Sequence, residues 1–121
     1  MPASLGHVLL VEDSELVTSA LRVLLESAAY DVSIAGSIAE ALAIPRPASP
    51  SLVLLDLTLP DGDGLALVAP LRSCGWENVV ALTGHDDPIT RQRCLAAGCA
   101  DVLLKPVPAR ALVSKITTWL R

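Results

Sequence analysis

The chain alternates between short unbroken apolar runs and longer stretches in which apolar residues return every three or four positions. His7–Val11 is the first run, and its lack of polar alternation predicts a strand covered on both faces. Asp31–Ala35, Ser51–Asp56, Asn78–Thr83 and Ala100–Leu104 predict four more strands. After strand 1, Leu16, Val17, Ala20, Leu21, Leu24 and Ala28 recur at helical spacing and are expected to face inward. Ser14 is placed to cap that helix, and Glu12, Asp13 and Glu15 suit its positive end. Ser37–Ile44 predicts a short second helix with Ile38, Ala41 and Leu42 inward. Pro45, Pro47 and Pro50 end it and form a stiff surface loop.

The third helix is expected from near Gly64 to Cys74-Gly75. Pro70 lies inside it and removes one backbone hydrogen bond, at about 3 kcal/mol unless the helix bends, so a bend is expected. Asp86 or Asp87 followed by Pro88 marks the start of helix 4, and Gly98 its stop. Pro108–Leu120 is helix 5, with Leu112, Val113, Ile116 and Leu120 on one face and Trp119 at its edge. Five β-α units with right-handed crossovers predict an α/β domain, a doubly wound five-stranded parallel sheet with five helices on its two faces. The flavodoxin-like strand order 2-1-3-4-5 would bring strands 1 and 3 together at the switch point, where such sheets hold their ligands.

At 121 residues the chain has the size of one domain, taken as 1–121, with no output domain in it. The core must come from Leu, Val, Ile and Ala, because Tyr30, Trp76 and Trp119 are the whole aromatic complement. The net charge of −4 and the lack of a Lys/Arg run exclude a sequence-independent grip on nucleic acid. No apolar run approaches a membrane span and no signal peptide is evident, so a cytoplasmic location is expected. Cys74, Cys94 and Cys99 form no C-x-x-C pair and read as small core hydrophobes in a reducing compartment.

Three of the apolar runs end in charged residues. Strand 1 runs into Glu12-Asp13, strand 3 ends in Asp56, and strand 5 runs into Lys105-Pro106. Two carboxylates about 4 Å apart repel by about 4 kcal/mol at an effective dielectric of 20, so a positive group must lie between them. Mg²⁺ suits such an all-oxygen set, and no His/Cys cluster points to zinc. An aspartate such as Asp56 can act as a nucleophile on phosphorus, giving an acyl phosphate. Lys105 would then hold a phosphoryl oxygen, and the Thr83 hydroxyl at the end of strand 4 could donate to another, with Gly84 leaving space for approach. Asp61 and Asp63 lack the terminal Glu of a calcium loop and read as turn residues with Gly62 and Gly64. His7 is expected at the surface at the start of strand 1, and His85 at the rim of the pocket.

In this order, from Val8 to Leu120, the residues resemble the receiver domain of bacterial two-component response regulators. The resemblance rests on Glu12-Asp13, Asp56, Pro60 with Asp63-Gly64, Thr83-Gly84 and Lys105-Pro106. It implies a phosphorylation-dependent signalling switch, rather than an enzyme, in which Asp56 accepts a phosphoryl group from a histidine kinase or a histidine phosphotransfer protein. It further implies Mg²⁺ on Asp13, Asp56 and the main-chain carbonyl of Thr58, with Glu12 acting directly or through water. Lys105 and Thr83 would bind the phosphoryl group, Thr58 and His85 would tune its lifetime, and the Lys105-Pro106 bond would be cis. An output domain elsewhere, or a homodimer, would use the helix 4–strand 5–helix 5 face.

One position departs from the family. Three residues before the lysine the family usually has Tyr or Phe, whose rotamer follows the Thr; here it is Val102. That departure favours an alternative, a docking module that binds its partner without phosphorylation. A phosphatase of the haloacid-dehalogenase type would need a second acid two residues after the nucleophile, where this chain has Thr58.

Overall fold

The computed structural model describes residues 4–45, 47, 50–84 and 87–120. Five parallel strands form the main sheet: β1 (His7–Val11), β2 (Asp31–Ala35), β3 (Ser51–Asp56), β6 (Asn78–Thr83) and β7 (Asp101–Leu104). Their order is β2-β1-β3-β6-β7, which in terms of the five sheet strands is the expected 2-1-3-4-5. Between β3 and β6 the chain adds a small antiparallel hairpin, β4 (Thr58–Leu59) with β5 (Gly62–Asp63), where only a turn was expected. The helices are α1 (Glu15–Ser27), α2 (Ile38–Leu42), α3 (Val68–Ser73), α4 (Pro88–Ala97) and α5 (Ala109–Trp119).

The unbroken apolar strands are explained by burial on both faces. Successive residues of β1 go to opposite sides: Leu9 and Val11 join one core with Ala41, Leu67, Val68, Leu71 and Cys94. Val8 and Leu10 join the other with Leu21, Leu25, Leu112, Ile116 and Leu120. β3, at the centre, is buried along its whole length.

The caps follow the sequence. Ser14 Oγ accepts from the Val17 amide at 3.4 Å, and Asp87, with Pro88 behind it, accepts from the Thr90 amide at 2.7 Å. Asp86, the other candidate cap, lies outside the described residues. Pro70 falls in the first turn of α3, where its missing N–H has no helical partner to lose. In place of a bend in a long helix, the chain forms a 3₁₀ turn over Gly64–Leu67 and then α3.

Several side chains depart from the expected burial. In α1 the buried residues are Thr18, Leu21 and Leu25, while Leu16 is 83% exposed and Val17 and Ala20 are exposed too. Thr18 tolerates burial because its hydroxyl donates to the Ser14 and Glu15 carbonyls, each at 3.2 Å. Leu42 is exposed because α2 is so short that Ala41 alone is fully inward. Cys74 is exposed at the end of α3, whereas Cys94 and Cys99 are buried. His7 is half-buried rather than a free surface residue. Its Nε2 lies 2.8 Å from Ser33 Oγ, and its ring is 4.8 Å from that of the buried Trp76. Among the described residues no helix is long and apolar enough to cross a membrane.

Candidate functional site

Strand register builds the site. β1 and β3 pair Val11 with Leu55, and the next residue on each is an acid, Glu12 just past β1 and Asp56 at the end of β3. Asp13 follows Glu12, and one carboxylate oxygen from each of Glu12, Asp13 and Asp56 lies within 4.8 Å of the others. On the other side of β3, β6 and β7 pair Thr83 with Leu104. The Lys105 amide then donates to the Thr83 carbonyl at 2.7 Å, which fixes where the lysine leaves the sheet. Its Nζ reaches back to Asp56 Oδ2 at 2.7 Å and to Glu12 Oε2 at 3.2 Å. The Lys105–Pro106 bond is cis.

Each buried acid is held at both oxygens. Asp56 Oδ1 accepts from the Thr58 amide at 2.9 Å, and Glu12 Oε1 from the Ser14 amide at 3.1 Å. Asp56 is 6% exposed and Glu12 8%, whereas Asp13 faces solvent. Burial pushes the Glu12 carboxyl above its ordinary value, helped by the neighbouring Asp56. Burial acts the same way on Asp56, but the Lys105 ammonium and the Thr58 amide outweigh it and hold that carboxyl below its ordinary value. Burial likewise works against the Lys105 ammonium, and the two carboxylates outweigh it, raising Lys105. Asp56 is therefore a charged acid oriented by its backbone, with a cation already against it.

The loop after Asp56 is braced on both sides. Gly64 is required there, because a Cβ would fall against the Asp56 carbonyl oxygen and 3.0 Å from Leu57 Cα. Asp61 accepts from the amides of Ile38 at 2.8 Å and Ala39 at 3.2 Å, tying the hairpin to the start of α2. Asp63 accepts from the Leu65 amide at 3.0 Å and pairs with Arg93 of α4 at 3.0 Å. Both acids thus do more than shape the expected turn, and their long-range partners carry no local signal.

The oxygen-only donor set suits a hard cation such as Mg²⁺, with Glu12, Asp13 and Asp56 as the carboxylates within reach. Thr58 lies at the start of the hairpin with its side chain exposed. Thr83 is buried at the end of β6, and Gly84 beside it has open space where a side chain would lie. Val102 is buried in β7, and its carbonyl accepts from Arg91 Nη1 of α4 at 3.3 Å. His85 lies outside the described residues.

The helical pattern did not anticipate an apolar groove of about 410 Å³ beside the charged pocket. Leu16, Val17 and Ala20 of α1 form one wall, Pro106 and Val107 the other, and Glu12 and Lys105 lie at its edge. The available signal was an excess: the seven apolar residues of α1 are more than one inward stripe needs.

The sequence matches the family described as "Response regulator receiver domain" over residues 8–117. The transcriptional regulatory protein AruR of Pseudomonas aeruginosa is 34% identical across 98% of this chain and 51% of its own length. The TorCAD operon transcriptional regulatory protein TorR of Escherichia coli is 33% identical across 94% of this chain and 50% of its own. The chain thus spans about half the length of the curated relatives it matches. Among solved structures, the non-phosphorylated HemR receiver domain of Leptospira biflexa superposes with a TM-score of 0.84 at 31% identity, covering 94% of this chain and 93% of that one. The BeF3-activated N-terminal receiver domain of RstA from Klebsiella pneumoniae gives 0.78 at 29% identity, covering 95% and 98%.

Proposed function

This chain belongs to the family of response regulator receiver domains, and on that premise we propose that it is a phosphorylation switch whose acceptor is Asp56. The observation that carries this reading is the Asp56 carboxylate itself: buried, kept charged, oriented by the Thr58 amide, and 2.7 Å from a lysine ammonium. Residues 1–121 act as one receiver unit in this reading.

Asp56 attacks the phosphorus of a phosphohistidine on a histidine kinase or phosphotransfer protein. The P–N bond breaks, an O–P bond forms, and the histidine leaves. Asp13, Asp56 and the Thr58 carbonyl would hold Mg²⁺, with Glu12 acting directly or through water. When bound, the ion supplies positive charge to the phosphoryl oxygens. Lys105 transfers its contact from the carboxylate to a phosphoryl oxygen, and the Thr83 hydroxyl donates to another. Thr58 and His85 would set the lifetime of the acyl phosphate by acting on the water that attacks it. The apolar groove beside the site gives the donor protein a surface to cover while its histidine reaches Asp56.

A complete switch from 1:99 to 99:1 needs about 5.5 kcal/mol of differential interaction. One hydrogen bond from Thr83 to a charged oxygen gives about 1.5–3 kcal/mol. Lys105, the cation and the partner supply the remainder. The partners are the phosphodonor and an output domain or second copy meeting α4, β7 and α5; no direct contact with nucleic acid or membrane is assigned to this chain. The location is cytoplasmic in this account.

Radiolabel transferred from a phosphorylated histidine donor should appear on this chain and be released by hydroxylamine, as an acyl phosphate is. Label that resists hydroxylamine, or equal labelling of Asp56→Ala, would refute the assignment. A second reading, docking without phosphorylation, draws on Val102, a side chain too short to swing as an aromatic does. It requires that Asp56→Ala bind the partner as tightly as the parent, and a clear loss of affinity would remove it.

A further inference from the structure

The C-terminal cap of α4 holds two of the three cysteines. Gly98 takes the left-handed conformation, at φ +108°, and its amide reaches the Leu95 carbonyl at 3.1 Å. The Cys99 amide reaches back across the cap to the Cys94 carbonyl, also at 3.1 Å. This double closure places the residues at its two ends side chain to side chain, a contact that is normally hydrophobic. Here both ends are cysteines, held at the two ends of one backbone hydrogen bond. Both lie in the same core, Cys94 at 0% and Cys99 at 6% exposure.

We propose that Cys94 and Cys99 are a modification site, an intramolecular disulfide that closes the cap of α4 when the protein meets a peroxide. Two S–H bonds break and one S–S bond forms, while the peroxide O–O bond is reduced and its oxygens leave as two waters. Five residues apart and at the two ends of one hydrogen-bonded cap, the two cysteines can be joined without breaking the sheet. The link would fasten the end of α4 to the entry of β7, beside the point where Arg72 Nη1 already holds the Gly98 carbonyl at 3.1 Å.

Burial works against reaction in the closed state, because it pushes the Cys99 thiol up to about 11 and raises Cys94 as well. The helix supplies the route around this. Among the described residues of α4, Cys94 alone is buried, and the helix is otherwise held by solvent-exposed pairs, Arg93 with Asp63 and Arg91 with Asp101, which allows it to open locally. Oxidation then reports the opening of α4.

The test needs no change at either residue. Cys74 is exposed and would react on its own, so Cys74→Ser is the starting protein. It is treated with hydrogen peroxide while folded, then unfolded and alkylated. The expected result is a fall from two alkylatable thiols to none, with the tryptic peptide that carries both lighter by two hydrogens and restored by dithiothreitol. Two thiols still alkylatable, oxygen added to either sulfur separately, or a disulfide between two chains would each overturn the proposal. Asp56 takes no part, so this result stands apart from that of phosphoryl transfer.

Discussion

Asp56 Oδ2 accepts from Lys105 Nζ at 2.7 Å, so the carboxylate proposed as the phosphoryl acceptor and the ammonium proposed to hold the phosphoryl oxygen are already in contact. The same ammonium balances Glu12 at 3.2 Å. Replacing it leaves two buried carboxylates facing one another. Lys105→Met is expected to lose about 1–3 kcal/mol of stability in metal-free buffer. The low end applies because the lysine side chain is 37% exposed and partly screened. Mg²⁺ should restore more stability to the variant than it adds to the parent, since it no longer competes with the lysine. Urea midpoints with and without Mg²⁺ check this, and equal increments in the two proteins would contradict it.

Thr58 and His85 are assigned to the path of water rather than to binding. Thr58→Ala and His85→Ala should therefore change the half-life of the acyl phosphate by several-fold while each still accepts phosphate. Single-turnover decay of purified phosphoprotein reads it. Half-lives equal to the parent's in both variants would remove these two residues from the account.

His7 gives the fold a pH dependence distant from the acids. Burial between Ser33 and Trp76 holds its pKa below the ordinary value, although Asp31 opposes the shift. The folded state therefore binds a proton less readily than the unfolded chain. The stabilisation is complete above the unfolded value of about 6.5 and is lost as pH falls from there through the lower folded value. His7→Gln should flatten that part of the stability profile. Parent and variant denaturation midpoints that fall in parallel below pH about 6.5 would exclude the effect.

Ala29 ends the α1 turn at φ 71°, a left-handed position that costs an L-residue about 1–2 kcal/mol. Glycine accepts it freely but gives back part of the gain as unfolded-state entropy. Ala29→Gly should stabilise the domain by about 0.5–1 kcal/mol, measured by urea denaturation. An unchanged or lowered midpoint would show that the strain is relieved by the neighbouring backbone.

What the sequence disclosed, and what it hid, follows from the range of each interaction. The strands β1, β3 and β6 were readable because burial on both faces leaves apolar runs such as Leu52–Leu55, whereas the edge strand β2 is only partly buried and carries Ser33. The acids and the lysine were readable because each ends such a run, and parallel register carries them to one edge. The rotation of α1 was not, because Thr18 is inward only by virtue of hydrogen bonds to its own helix. Asp61 and Asp63 also escaped, since their partners Ile38, Ala39 and Arg93 are more than twenty residues away. Pro70 lies inside the third helix as expected, but the start of that helix was not legible, because the chain forms a 3₁₀ turn over Gly64–Leu67 before α3.

The central claim is that Asp56 becomes phosphorylated, and intact-mass analysis tests it most directly. The protein is incubated with a small acyl-phosphate or phosphoramidate donor, with and without Mg²⁺, beside Asp56→Ala. The account predicts a gain of one phosphoryl mass that requires the metal and is lost in the variant. No gain in a protein shown to bind Mg²⁺, or the same gain in Asp56→Ala, would contradict it.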